Sequence, residues 1–467
     1  MTTSALSHPV LQQVFEATTL FAEKTWQLSP EPIALSAKQV GELERIGQAC
    51  VEFHRALELL YSRSWQRKNL MRNRKLEAPW VAGYLDRGKP AALVEHARHP
   101  ALKNTLPNVL RPDLLLTEDG FALTELDAVP GGVGLTAFLN KLYGDGPFKL
   151  VGTAESIVTD FYDALSSLLP EQDDPLIAIV VSDEAATYLP EFEWLAEQLR
   201  HRACRVHCFH PSEIMPLGST LCAPIEGNPI KIDIIYRFFE LFDLENVATA
   251  HHITRAAENG EVVVSPPMRP FQEEKLSLAL LHHHVLEDFW RENLSRGAFK
   301  QLKKIVPQSW VVDPVELPPN AVLDSPWVGG KPIREWEELG EASQKERNLI
   351  LKASGFHETA WGARSVVLGS DSSREEWTSA LREAVSMSDE VLHILQDYRK
   401  PIRVPHPVYR EDGSVSEMEG RLRLCPYYFV QEGTSHLSGV LATFCPPDKK
   451  IIHGMRDAAM LPVQARD

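Results

Sequence analysis

RPDLLLTEDGFALTELDAVPGG, residues 111–132, reads as two short apolar runs around a turn, with carboxylates towards both ends at Asp113, Glu125 and Asp127. Glu118, Asp119 and Gly120 are expected to form a three-residue hairpin loop with the glycine in the left-handed position. Counting outward, Thr117 faces Phe121, Leu115 faces Leu123 and Asp113 faces Glu125. The two-residue period of a strand then returns Asp127 to the same face. Three acids on one surface repel one another and raise one another's pKa, so the pattern calls for a cation or a fully hydrated face. A donor set made only of hard oxygens suits Mg²⁺, which keeps waters and adds substrate phosphates to one or two carboxylates. The alternative is a hairpin with ordinary solvated acids, but the flanking Leu, Phe and Ala residues favour burial.

The whole sequence of 467 residues is too long for one simple core, and its 44% hydrophobic and 24% charged content is that of a globular protein. A formal charge of -16 argues against duplex nucleic acid as the main partner, while leaving room for a local basic cleft. No apolar run approaches bilayer-spanning length, and residues 1–24 lack the basic start and apolar core of a secretory signal, so a cytoplasmic location and no membrane partner are expected. Six cysteines in this length do not make a disulfide framework. HRACRVHCFH (201–210) offers zinc-compatible spacings at His201, Cys204, His207, Cys208 and His210, but alternates like a strand and has no second ligand pair nearby. The triplet His282, His283 and His284 sits in a helical run, pointing three ways.

Residues 1–105 read as a helical N-terminal region dominated by the long apolar periodicity of 37–65. The hairpin and the Gly-rich turn into a helix at 131–145 occupy 106–170. From 171 to 265, apolar strands at 176–182, 204–210 and 231–242 alternate with a helix at 191–202, the pattern of a small parallel α/β unit. The remainder, 266–467, holds a helical run, a charged helix at 334–347 and several strands. In LILKASGFHETAWGARSVVLG (349–369), Lys352 ends an apolar strand ahead of a loop containing Ser354, Gly355 and Gly362. A lysine at such a root can meet phosphate oxygens, and small residues let backbone N–H groups approach them. The pattern is neither a Walker A loop nor a dinucleotide fingerprint.

Arg-Pro-Asp, eleven residues, then Glu-x-Asp closely resembles the metal-binding segment of the ATP-grasp ligases. It looks most like their circularly permuted, glutathionylspermidine synthetase-like branch, because the acidic segment precedes the lysine-and-loop region. The resemblance implies a circularly permuted ATP-grasp fold of the α/β (α+β) class, with ATP and Mg²⁺ as cofactors. It places Mg²⁺ on Asp113, Glu125 and Asp127, where the family has Asn in place of Asp127, and phosphate or acyl phosphate on Arg111. Lys275 and Lys352 resemble the two nucleotide-binding lysines, Ser354, Gly355 and Gly362 the loop over the phosphates, and Gln396 and Asp397 the adenine-reading hinge. Arg423 and Arg456 are the candidates for a late phosphate-binding arginine.

The activity implied is ligation of a small-molecule or peptide carboxylate to an amine through an acyl phosphate. A bare carboxylate is a poor electrophile, and transfer of a phosphoryl group creates a leaving group. Tyr236, Arg237 and Glu240, just past the third strand of the α/β unit, are candidates for the substrate, since ligands favour the carboxyl ends of such strands; a plain helix edge is the alternative. Gly131, Gly132 and Gly134 either admit a substrate to the backbone or make a tight turn. Two rivals remain: an ATP-dependent phosphotransferase, and a nucleotide-binding protein that has lost catalysis.

Overall fold

The computed structural model describes residues 6–18, 20, 25–314, 326–360, 364–449, 452 and 457–466. By contact, the chain divides into two compact units, 1–51 with 100–268 and 401–467, and 52–99 with 269–400. Residues 401–467 therefore group with the acidic hairpin, where the sequence alone placed them with the lysine loop.

The first unit is built on a seven-stranded sheet. Its path runs Ile33–Ser36, Ala459–Arg466, Thr434–Cys445, Val415–Gln431, Val109–Thr117 and Gly120–Asp127, and Arg403–Tyr409 also pairs with Val415–Gln431. The 17-residue strand Val415–Gln431 reaches this many partners by length: its first part pairs with Arg403–Tyr409 and its second with Val109–Thr117. A separate four-stranded parallel sheet runs Val263–Ser265, Ile234–Phe238, Ile177–Val181, Val206–Phe209. Its central strand, IAIVV, is buried at every residue, as a parallel strand covered on both faces requires. The helix Leu189–Arg200 precedes the edge strand, so the α/β alternation legible in the sequence is present.

The second unit carries a four-stranded sheet ordered Ser309–Val312, His393–Asp397, Leu349–Ala353, Val367–Leu368, antiparallel throughout. Val312, Leu349, Leu351 and Leu395 form one core with Trp336, Trp377 and Leu381. The helix expected over 334–347 is only a 3-10 segment, Trp336–Glu341, whereas Arg374–Ser386, capped by Ser373 in a capping box, is a helix. Among the described residues, no helix is long and apolar enough to cross a membrane.

The helix Ala37–Trp65 matches the periodicity of its sequence from end to end. Within its first half, Gly47 lies against Tyr428, whose hydroxyl donates to the Leu43 carbonyl at 2.5 Å. A β-carbon on Gly47 would fall 2.3 Å from the tyrosine ring, whereas one on Gly41 would meet only the Arg45 side chain at 3.6 Å. Gly41→Ala is expected to stabilise by about 0.5–1 kcal/mol through helix propensity. Gly47→Ala is expected to destabilise by about 1–3 kcal/mol through overpacking, and chemical denaturation of both variants reads the opposite signs.

Burial pushes His54, His282, His283 and His406 down to about 4 from 6.5. The unfolded chain takes up protons near 6.5 that these buried rings refuse, so stability present above that pH is lost as pH falls towards 4. Among the described residues, neither ring nitrogen of His54 has a hydrogen-bond partner. His54→Leu is expected to remove about 2 kcal/mol of the stability loss between pH 7 and pH 5, measured by denaturation at constant ionic strength.

Candidate functional site

The hairpin 111–127 forms with a two-residue connection: Thr117 pairs with Gly120, whose φ is +108°, and Leu114 with Leu123, one step from the expected register. A bulge between Asp113 and Leu114 takes up Thr124 as the extra residue and restores the pairing of Asp113 with Glu125 and of Arg111 with Asp127. The Thr124 hydroxyl donates to the Asp113 carbonyl at 3.1 Å across that bulge. The acids thus reach the expected positions by a different local route.

What holds them is arginine. Arg111 donates from Nε to Asp113 Oδ1 at 2.9 Å, from Nη2 to Asp127 Oδ2 at 2.8 Å and from Nη1 to the Gly131 carbonyl at 3.0 Å. Arg423 Nη1 reaches Asp113 Oδ2 at 3.1 Å, and the Cys425 thiol donates to Asp113 Oδ1 at 3.3 Å. Burial alone would raise the Asp113 carboxyl, but Arg111 and then Arg423 outweigh it and hold the group below the usual range. Asp127 goes the other way: burial, with Glu125 and Asp113 alongside, lifts it above the usual range despite Arg111. Among the described residues, no group of three or more His, Cys, Asp or Glu is arranged to hold a metal. Both oxygens of Asp113 are engaged by protein donors, and so are both of Asp127, Oδ2 by Arg111 and Oδ1 by the Val129 N–H at 2.8 Å.

The glycines after the hairpin make a tight turn. Gly132 has φ +90° and donates to Glu191 Oε1 at 2.5 Å, and Leu135 N donates to Glu191 Oε2 at 3.1 Å. That carboxylate thus satisfies open N–H groups at the start of the helix Val133–Gly144, a favourable end for negative charge. Tyr427 donates to the Gly131 carbonyl at 2.6 Å. A β-carbon on Gly131 would lie 2.2 Å from the Tyr188 ring. Glu191, Cys425 and Tyr427 were not marked by the sequence, because each reaches the hairpin from another element.

Tyr236 and Arg237 are not at a helix edge. They lie inside the parallel strand Ile234–Phe238 with 0% exposure, and Arg237 donates to the Phe239 carbonyl at 2.6 Å and the Pro266 carbonyl at 3.3 Å. A central parallel strand buries both faces, so the expectation of a substrate contact from these two is corrected. Glu240 follows the strand and is half-buried. The strand Val206–Phe209 confirms the strand reading of the cysteine–histidine stretch. The triplet at 282–284 is split between the helix end at His282 and a 3-10 turn at His284–Leu286.

In the second unit, Lys352 is buried on Leu349–Ala353 and donates to Gln396 Oε1 at 3.0 Å, while Gln396 Nε2 donates to Ser309 at 3.0 Å. The Asp397 backbone N–H donates to the Gln308 carbonyl at 2.9 Å, and burial raises its carboxyl. Lys275 donates to the Ala360 carbonyl at 2.8 Å. Ser354 works within the protein: Leu276 N donates to its hydroxyl at 2.8 Å, Lys275 N to its carbonyl at 3.1 Å, and the hydroxyl itself donates to Glu274. Gly355 packs against that carboxylate, where a β-carbon would lie 3.0 Å from Glu274 Oε2. The charge of Glu274 is met by Lys89 at 2.5 Å, with both side chains under 5% exposed. Lys89 and Glu274 are 185 residues apart in sequence order, 274 minus 89, and no local pattern pairs them. Gly362 and Arg456 lie outside the described residues.

No protein-family model matches the sequence, and no curated protein matches it. Among solved structures, a glutathione synthetase-like effector from Globodera pallida, in its apo form, is similar with a TM-score of 0.57 and 10% identity, covering 98% of each chain. A candidate gamma-glutamylcysteine synthetase from Methylobacillus flagellatus gives a TM-score of 0.41 and 12% identity over 92% of this chain and 89% of that one, too low to carry an argument. The chain is thus a mixed α/β protein that shares its fold with the glutathione synthetase-like effector. The likeness is to the glutathione synthetase type and does not single out the glutathionylspermidine synthetase branch.

Removing the partner of a buried carboxylate leaves an uncompensated charge. Lys89→Met is expected to destabilise by about 3–5 kcal/mol, and adding Glu274→Gln to recover a large part of the loss, a non-additivity that urea unfolding of the double-variant cycle measures.

Proposed function

We propose that the protein is an ATP- and Mg²⁺-dependent carboxylate–amine ligase that forms an amide through an acyl phosphate and releases ADP and phosphate. The observation that carries this reading is the Arg111–Asp113–Asp127 network with Arg423, which gathers acids and guanidinium groups around one hairpin of an ATP-grasp-like fold. Its oxygen donors suit magnesium at Glu125 and Asp127, where burial first, and the Glu125 and Asp113 charges after it, raise the Asp127 carboxyl and a cation would favour its charged form. When bound, the ion supplies charge neutralisation for the nucleotide phosphates.

The chain's own groups do the rest. Arg111 fixes Asp127 through an ion pair, so the carboxylate meets its ligand without reorganising. Lys352 and Lys275 supply positive charge in the second unit, where they donate to Gln396 Oε1 and to the Ala360 carbonyl. Gln396 holds Lys352 in place. The substrates proposed are a small-molecule or peptide carboxylate and an amine, with Glu240 the remaining acid near the parallel strands for the amine. The circularly permuted order of parts belongs to the same proposal.

A second reading, nucleotide binding without turnover, is favoured by the saturation of Asp113 and by the full engagement of Arg111. Mass spectrometry of products after incubation with ATP, Mg²⁺ and pooled acids and amines separates the two. A ligase yields ADP with an amide product; a binder shows ATP-dependent thermal stabilisation and no ADP. Glu125→Gln is expected to lower ADP formation by ~100-fold or more with an unchanged circular-dichroism spectrum, and unchanged turnover would count against the assignment.

A further inference from the structure

The helix Leu189–Arg200 is polar on two sides. One side carries Glu191 onto the Gly132 and Leu135 N–H groups beside the acidic hairpin. Successive residues of a helix turn by about 100°, which puts Glu193, Glu197 and Arg200 on the opposite side, where all three are exposed. That outer side borders a cavity of about 540 Å³, within the range of about 300–1,000 Å³ common for small-molecule sites. Glu193, Trp194, Glu197 and Arg200 line it from the helix, and His207, Cys208 and Phe209 from the strand Val206–Phe209. Side chains of successive strand residues point to opposite faces, so a cavity lined by three in a row meets the open edge of that strand, the outer one of the parallel sheet.

Glu193 and Glu197 stand one helical turn apart, with about 5–6 Å between β-carbons at that spacing, so both carboxylates serve one stretch of the wall. Among the described residues, neither side chain makes an ion pair or a hydrogen bond. Arg200 donates from Nη1 to the Val206 carbonyl at 3.0 Å, a bond that ties the helix to the strand. The Trp194 ring is half-buried, set edge-on to Phe138 with 6.0 Å between ring centroids. Burial, with the Arg200 and Arg205 charges after it, keeps His207 below the ordinary histidine range, so it meets the cavity as a neutral imidazole. Burial likewise pushes the Cys208 thiol up to about 12. Two carboxylates against one guanidinium leave the wall with a formal charge of -1. Among the described residues, no His, Cys, Asp or Glu cluster is arranged for a metal ion, so the geometry favours an organic cation. An indole ring beside unpaired carboxylates recognises such a cation when it carries an apolar body.

We propose that this cavity is a binding site for a small organic ammonium ion, with Glu193 and Glu197 meeting its charge and the Trp194 ring its apolar body. The site lies on the side of the helix turned away from the hairpin and does not rest on the ligase reading.

The test is isothermal titration calorimetry of the full chain with benzylamine and, in parallel, with benzyl alcohol, which keeps the ring and lacks the charge. It compares the unaltered protein with Trp194→Leu and with the double variant Glu193→Gln, Glu197→Gln. The unaltered chain is expected to bind benzylamine roughly tenfold or more tightly than benzyl alcohol. The double variant is expected to weaken benzylamine binding by about tenfold while keeping its melting temperature, because both carboxylates are exposed and unpaired. Trp194→Leu is expected to weaken it by about fivefold. If the unaltered chain binds no benzylamine on the order of tens of millimolar, or binds it no more tightly than benzyl alcohol, the proposal is overturned. It is equally overturned if the double variant binds benzylamine as tightly as the unaltered chain does. A protein that forms no ADP yet binds benzylamine in the expected pattern would end the ligase reading and leave this site standing.

Discussion

One guanidinium organises the acidic hairpin. Arg111 lies between Asp113 and Asp127 and also holds the Gly131 carbonyl, so one side chain fixes both strands and the turn beyond them. Desolvating three neighbouring carboxylates would be prohibitive without this partner, and Coulomb attraction at contact distance in a buried setting is what reverses the balance. Its own charge is secured in turn, because Asp113 and Asp127 hold Arg111 well above its ordinary pKa against the effect of burial. From that clamp follow the geometry of the Gly131–Gly132 turn and the seating of Glu191 at the start of the next helix.

The same logic recurs in the second unit with lysine. Glu274 is a buried carboxylate satisfied by Lys89 and Ser354, and Ser354 in turn fixes the backbone at Lys275 and Leu276. Residues that a motif marks as ligand contacts therefore also act as internal supports. Ser354 and Gln396 are the clearest cases, since each hydrogen-bonds inside the protein and positions a lysine or its backbone. Preorganisation of this kind lets a site bind charge without rearranging, which is how electrostatic sites reach high efficiency.

The engagement of Arg111 bears on how such a site divides its labour. A guanidinium with every nitrogen engaged is a fixed element of the electrostatic field. Sequence position favoured Arg111 for phosphate because it opens the acidic motif. Within the protein, Asp113, Asp127 and the Gly131 carbonyl already engage all three nitrogens of Arg111.

The sequence by itself determined the elements with strong periodicity: the helix Ala37–Trp65, the apolar parallel strands, the hairpin and the placement of Asp113 opposite Glu125. These are local properties, set by side-chain period and by a glycine that tolerates positive φ. It also marked the order of the acidic and lysine segments. Only the tertiary structure decided that Tyr236 and Arg237 lie in a core strand and that residues 401–467 complete the sheet of the hairpin. The same holds for the partners Arg423, Cys425, Glu191 and Lys89, which reach the two sites from other elements. The reason is physical. Which charges neutralise a buried carboxylate depends on contacts between residues tens to hundreds of positions apart, and no local period encodes a pairing that arises only when sheets and helices pack.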